Sequence, residues 1–140
     1  METVAVPRRF KTFTYHTDLA WTGNRSGILS ALNKQAFPVS APPEFKGEPG
    51  VWTPEDLFVA SVSICLMTTF MSFASKSGLA VKSYADSAEG ILEFIDERYQ
   101  FTKVILKPQI LLESQDRIEE AGRILEKAHA QCLIANSIKA

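Results

Sequence analysis

The sequence predicts an α+β fold, and three features carry that expectation: a long uncharged helical run in mid-chain, strand-like segments on both sides of it, and a second, amphipathic helical pattern near the C-terminus. At 140 residues the chain fits a single domain, 1–140, with one core. Its 15 basic and 16 acidic residues give a formal net charge of -1. Such a chain offers no basic field for a phosphate backbone, so nucleic acid is not an expected partner.

Residues 1–52 read as N-terminal strands followed by a Pro-rich loop. In KTFTYHT, Phe13 and Tyr15 alternate with polar residues; TGNRSG then supplies turn residues around Arg25, and GILSAL resumes an apolar run. A hairpin is predicted, with Arg25 in or beside its turn. The opening METVAVPRRF carries Arg8 and Arg9 but lacks the apolar stretch and small-residue cleavage site of a secretory leader, which predicts a cytoplasmic protein. Between Phe37 and Trp52 stand four of the chain's seven prolines, and a loop is expected there.

The central helix is expected over 53–78. Thr53 suits the N-cap, Pro54 the first helical position, and Glu55 and Asp56 the positive end of the helix dipole; Lys76 and Gly78 suit the other end. From Leu57 to Ser75 nineteen residues pass without a charge. That barely reaches the length of a membrane span, and Ser61, Ser63, Thr68, Thr69 and Ser72 interrupt it. A helix buried on every side of a soluble protein is predicted instead, with no membrane partner.

Over 80–112 three sequential antiparallel strands are predicted as a meander, LAVKSYADSAEG, ILEFIDE and RYQFTKVILKPQILLE, with turns at AEG and IDER and Pro108 at a bulge or edge. Ser114 then caps a second helix over 114–131, whose Ile118, Ala121, Leu125, Ala128 and Cys132 follow a three-four spacing. The tail, 132–140, is expected to add a strand. A domain this small cannot cover an all-apolar helix with one sheet, so a second subunit is expected as the missing cover.

Two cysteines and two scattered histidines suit neither a disulfide scaffold nor a zinc site, and no metal is expected. Residue types alone leave both thiols as packing groups, because unpaired cysteine behaves as a small buried hydrophobe. His129, three residues before Cys132 on the helix, is close enough in sequence for a Cys–His pair, but most histidines so placed face the surface, and that is the expectation here. Arg25 and Glu55 are explained equally well as a solvated charge and a dipole partner.

The combination says more. The chain carries TGNRSG around Arg25, PEDLF at the helix start, Cys65 ten residues after Glu55, and AQCLIANS around Cys132. This order resembles the OsmC/Ohr family of osmotically induced and organic-hydroperoxide-resistance proteins, and more its general OsmC-like branch. PEDLFVASVSIC is the most specific part of the likeness. In that family the second cysteine is usually followed by proline, whereas Leu133 stands here, and the residue at Ile64 is commonly smaller.

The resemblance implies an OsmC-like fold in which antiparallel sheets pack around a long buried helix and a second helix, in an intertwined homodimer with sites at the interface. It implies a thiol peroxidase acting on organic hydroperoxides in bacterial oxidative-stress defence. Cys65 becomes the peroxidatic thiol, Cys132 the resolving thiol, Arg25 the thiolate-stabilising cation, and Glu55 the carboxylate orienting the arginine. No bound cofactor is implied, only an external dithiol reductant such as dihydrolipoyl groups. Phe58, Leu66, Met67 and Phe70 would wall an apolar substrate pocket, or serve simply as packing. On a regular helix Glu55 and Cys65 would stand about 15 Å apart along the axis, so a site containing both is expected to draw on two subunits. Two further readings stay open: a non-catalytic protein of the same fold binding an apolar small molecule, and a hot-dog-like thioesterase, against which the strong second helix counts.

Overall fold

Gly23 and Asn24, at φ 129 and 48, adopt the left-handed angles that a tight reversal needs, and strands β1 (Asp18–Gly23) and β2 (Ser26–Ser30) meet antiparallel across the Asn24–Arg25 turn. The computed structural model describes residues 11–140, which divide at Val51/Trp52 into two compact units; Arg8 and Arg9 lie outside the described residues.

In the first unit the sheet runs β1–β2–β3, with β3 at Phe37–Ser40. Two expectations are corrected here. KTFTYHT forms no strand: pairing starts only at Asp18 opposite Ser30, because β2 ends there and the chain turns away, Lys34 N–H donating to Ala31 O at 3.1 Å. The Pro-rich segment is not loop throughout, since its first four residues form β3; β3 is an edge strand, where Pro38 is tolerated.

The second unit is built on helix α1 (Pro54–Lys76). Its start is a capping box: Asp56 N–H donates to Thr53 Oγ1 at 3.0 Å and Thr53 N–H donates to Asp56 Oδ2 at 3.1 Å. It stops at Ser77, with Gly78 left-handed at φ 66. Two carbonyls at that end, Ser77 O and Gly78 O, accept from the Arg117 guanidinium at 2.8 Å each, and Arg117 also pairs with Glu120. This fork ties the end of α1 to the start of helix α2 (Ile118–Gln131), which a 3-10 turn over Gln115–Arg117 precedes.

Strands β4 (Val81–Asp86), β5 (Glu89–Ile95), β6 (Arg98–Ile105) and β7 (Pro108–Leu112) replace the expected three-strand meander. β4 pairs with β7 and β5 with β6, and the register on either side of the interruption is the same, so the segment is one long antiparallel ribbon. The chain does not reverse at AEG. There Asp86 Oδ1 accepts from Lys107 N–H at 2.7 Å and Lys107 Nζ meets Glu89 Oε1 at 3.2 Å, bridging the gap with side chains. The one reversal is at Asp96 and Glu97, both at positive φ (53 and 65), as expected for IDER. Pro108 opens β7 at the interruption.

The core joins Leu66, Phe70 and Ala74 of α1 to Ala121, Ile124 and Ala128 of α2, with Leu79 beside them. The α2 stripe differs from expectation in including Ile124 and losing Ile118, which is 55% exposed. At Ile118 the contact has reached the end of α1, marked by Arg117 on Ser77 and Gly78, and no helix remains to cover it. The tail forms no strand either: Asn136 N–H returns to Cys132 O at 3.0 Å and Ser137 Oγ to Leu133 O at 2.7 Å, local bonds that close a 3-10 turn over Ala135–Ser137. Nor does the single chain bury α1 on every side. Val62, Cys65, Leu66, Phe70 and Ala74 face inward, while Ile64 (57%), Met67 (36%) and Met71 (39%) stay exposed.

β5 approaches α1 so closely at Gly90 that a Cβ there would lie 2.5 Å from Val59 Cγ2 and 2.8 Å from Phe101 Cε1. Gly90→Ala is therefore expected to destabilise the protein by about 1–3 kcal/mol. Gly122→Ala, within α2 and facing open space, is expected to stabilise it by about 0.5–1 kcal/mol. Urea unfolding midpoints of the two variants should move in opposite directions.

Candidate functional site

Cys65 stands midway along α1 on its inward face, 8% exposed, with Thr69 one turn on and Thr69 Oγ1 4.0 Å from its sulfur. The neighbouring hydroxyls are satisfied within the helix: Ser61 Oγ donates to Phe58 O at 2.7 Å and Thr68 Oγ1 to Cys65 O at 3.1 Å. This is how an otherwise apolar helix carries them without orphaned polar groups. Cys132 closes α2 as its C-cap, turning extended at φ -64 and ψ 109, and is 1% exposed. Because α2 returns along α1, the two free, buried thiols come close enough to influence each other's acidity.

Their environments push them apart. Burial alone pushes the Cys65 thiol up, but hydrogen bonds from Ile134 N–H, the Cys132 thiol, Thr69 and Leu133 N–H outweigh it, and its pKa falls below the ordinary value. For Cys132 burial is again the largest effect, and donating to Cys65 and facing its charge add to it; the backbone at Ala135 and Ile134 offsets only part, so its pKa rises. The two shifts run in opposite directions, Cys65 down and Cys132 up. The arrangement therefore sets the more acidic thiol beside the less acidic one, a pairing suited to forming a sulfenic acid and then a disulfide.

The other expected residues fall in separate settings. Arg25 occupies the second position of the β1–β2 turn, exposed, in a recess of about 660 Å³ with Asn24, Ser26, Lys46, Gly47 and Glu48. Glu55 is in the first turn of α1, ten residues from Cys65 on the same regular helix, and its buried Oε1 has no hydrogen-bond partner among the described residues. Helical rise alone puts the two residues about 15 Å apart. Leu66 lines an apolar cavity of about 290 Å³ that reaches Cys132 and His129. Phe58 instead stacks on Phe101 at 4.5 Å beside a different recess, Phe70 is sealed in the core against Tyr84, and Met67 lies on the outer face of α1. Thr69 and the backbone after Cys132 are the contributors that sequence reasoning passed over. Thr69 carried a signal, being one turn from Cys65; backbone N–H groups carry none. Among the described residues no group of three His, Cys, Asp or Glu side chains could hold a metal ion.

The OsmC-like protein family model matches residues 47–140, from the loop before α1 through both helices, the ribbon and both thiols. The chain belongs to the OsmC-like family. Peroxiredoxin OsmC of Escherichia coli (strain K12) is 28% identical to this OsmC-like protein over 118 residues, covering 84% of this chain and 80% of that one. Among solved structures, the OsmC-like protein VCA0330 of Vibrio cholerae, described as of unknown function, superposes with a TM-score of 0.84 at 26% identity, covering 92% of this chain and 96% of the other. An organic hydroperoxide resistance protein from Elizabethkingia anophelis gives a TM-score of 0.73 at 25% identity, covering 91% and 89%. The family thus includes proteins named for peroxide chemistry, and the expected α+β OsmC-like fold is the observed one.

The opposite displacements of the two thiols fix the order in which they react. Raising the pH from acid, iodoacetamide should modify Cys65 first, since its thiolate fraction is larger at any pH below both midpoints; Cys132 should follow only at higher pH. Peptide mass mapping of the reduced protein reads that order directly.

Proposed function

We propose that this OsmC-like protein is a thiol peroxidase that reduces organic hydroperoxides in a bacterial cytoplasm. One observation carries the reading: two free, buried thiols meet, with the acidity of Cys65 shifted up and that of Cys132 shifted down. The Cys65 thiolate attacks the terminal peroxide oxygen; the O–O bond breaks, the alkoxide leaves with a proton as alcohol, and Cys65 becomes a sulfenic acid. The Cys132 thiol then displaces hydroxide from that sulfur, forming a disulfide and water. An external dithiol such as a dihydrolipoyl group reduces the disulfide by two exchanges and is itself oxidised to a disulfide. The chemistry needs no bound cofactor.

The working form in this reading is a homodimer. An exposed apolar row, Ile64, Met67 and Met71, is left on α1, and the orphaned Glu55 Oε1 is a buried acceptor waiting for a donor. A cluster uniting Glu55 and Cys65 takes them from different subunits, because one helix holds them too far apart. Arg25 is assigned as the cation that Glu55 orients beside the thiolate. The apolar cavity beside Cys132 favours a second reading, a non-catalytic binder of an apolar small molecule.

Turnover separates the two. With dihydrolipoamide as reductant, cumene hydroperoxide is expected to be consumed faster than hydrogen peroxide. Cys65→Ser should abolish turnover, and Cys132→Ser should accumulate a trappable sulfenic acid on Cys65. Absence of turnover in the reduced wild type, with ligand binding unaffected by Cys65→Ser, would replace the peroxidase with the binder.

A further inference from the structure

We propose that the apolar cavity between α1, α2 and β6 is the entry for the reducing dithiol, and that a thiol on a slender apolar chain, arriving through it, attacks the disulfide at Cys132 and releases Cys65. The cavity, of about 290 Å³, is walled by Val62 and Leu66 of α1, Val104 of β6, Leu106 beyond it and Leu125 of α2. Among the described residues that wall it, only His129 and Cys132 bring side chains other than hydrocarbon. Cys65 is not one of those residues, although Leu66 follows it directly; its sulfur lies 4.0 Å from Thr69 Oγ1 instead. An occupant of the cavity therefore meets one cysteine of the pair, Cys132.

The wall selects the occupant. A hydrocarbon lining takes up methylenes favourably, whereas a peptide thiol carrying carboxylates and an ammonium would leave those charges without partners. The volume lies at the lower end of the range that holds small molecules, about 300–1,000 Å³, so a single short chain fits and the loop of a folded dithiol protein does not. A dithiol at the end of a short alkyl chain meets both demands. Its first thiol yields a proton to solvent and its sulfur bonds to Cys132; the Cys65–Cys132 bond breaks and the electron pair leaves on Cys65 as thiolate. The second thiol then bonds to the first sulfur, frees Cys132 and passes it a proton, and the reductant departs as a disulfide. The acidities run the same way, since Cys65 is the more acidic of the two and a more acidic thiol leaves faster.

This rests on the reading of Cys65 and Cys132 as a redox pair, and the test lets the two fail separately. Protein oxidised with diamide, which joins thiols without peroxide, is treated briefly with mercaptohexanol, a monothiol that stops at the mixed disulfide, and quenched with N-ethylmaleimide. Peptide mapping is expected to find the alkyl thiol on Cys132 and the maleimide on Cys65. The reverse labelling, or equal labelling of both, overturns the proposal and leaves the peroxidase reading intact. A disulfide that forms with diamide but not with an organic hydroperoxide removes the peroxidase and leaves the proposal standing; no disulfide with either oxidant rejects both. Chain length supplies an independent check on the wild type. At equal thiolate concentration, disulfide cleavage should quicken by about fourfold at most per methylene from mercaptoethanol to mercaptohexanol, and glutathione should be slower than either. Val104→Trp, which fills the cavity from β6, should flatten that dependence. A wild-type rate indifferent to chain length would equally reject the proposal.

Discussion

The close packing of α2 along α1 is the contact on which the rest of the second unit depends. Ala74 on one helix and Ala121 and Ala128 on the other are small enough to let the backbones approach around Phe70, which is 0% exposed. Arg117 locks the start of α2 to the end of α1, so α2 must run back along its partner. Travelling that way, its last residue arrives at the middle of α1. The meeting of Cys132 with Cys65 is thus a consequence of helix lengths and direction, and any substitution that opens the helix pair separates the thiols as well.

Burial and hydrogen bonding compete at that junction, and the winner differs between the two sulfurs. Both are removed from water, which disfavours a thiolate at each. At Cys65 the hydrogen-bonding influences of Thr69, of the backbone at Leu133 and Ile134, and of Cys132 outweigh that burial, and its pKa is lowered. At Cys132 burial dominates, the neighbouring Cys65 adds to it, and the pKa is raised. Two residues of one chemical type in one apolar pocket therefore acquire opposite tendencies, which is what division of labour between attacking and resolving thiols requires.

The same helix that brings the thiols together leaves an apolar row uncovered. α1 is long and apolar enough to cross a membrane by length and composition, yet its inward face is the core that holds α2 and the ribbon. A helix so placed has one apolar face spent and one to spare. The proposed second subunit answers that surplus and the stranded carboxylate oxygen of Glu55 together.

Local chemistry was legible from sequence wherever it depends on neighbours a few residues apart. Thr53, Pro54, Asp56 and Gly78 announced both ends of α1, TGNRSG and IDER marked the reversals, and the order of Glu55, Cys65 and Cys132 pointed to the family. Misreadings arose where a partner decides. AEG looks like a turn but is bridged by Asp86 and Lys107, Pro38 is tolerated because β3 is an edge, Ile118 loses its cover where α1 ends, and the tail prefers its own hydrogen bonds to a sheet. Residue spacing and type were enough for the helices, the caps of α1 and the two thiols as candidates. That those thiols come together, and that their acidities shift in opposite directions, depends on how α2 packs along α1. The reason is physical: a thiol's acidity is set by the solvent it loses and the donors it gains, and those are supplied by segments that sequence spacing does not bring together.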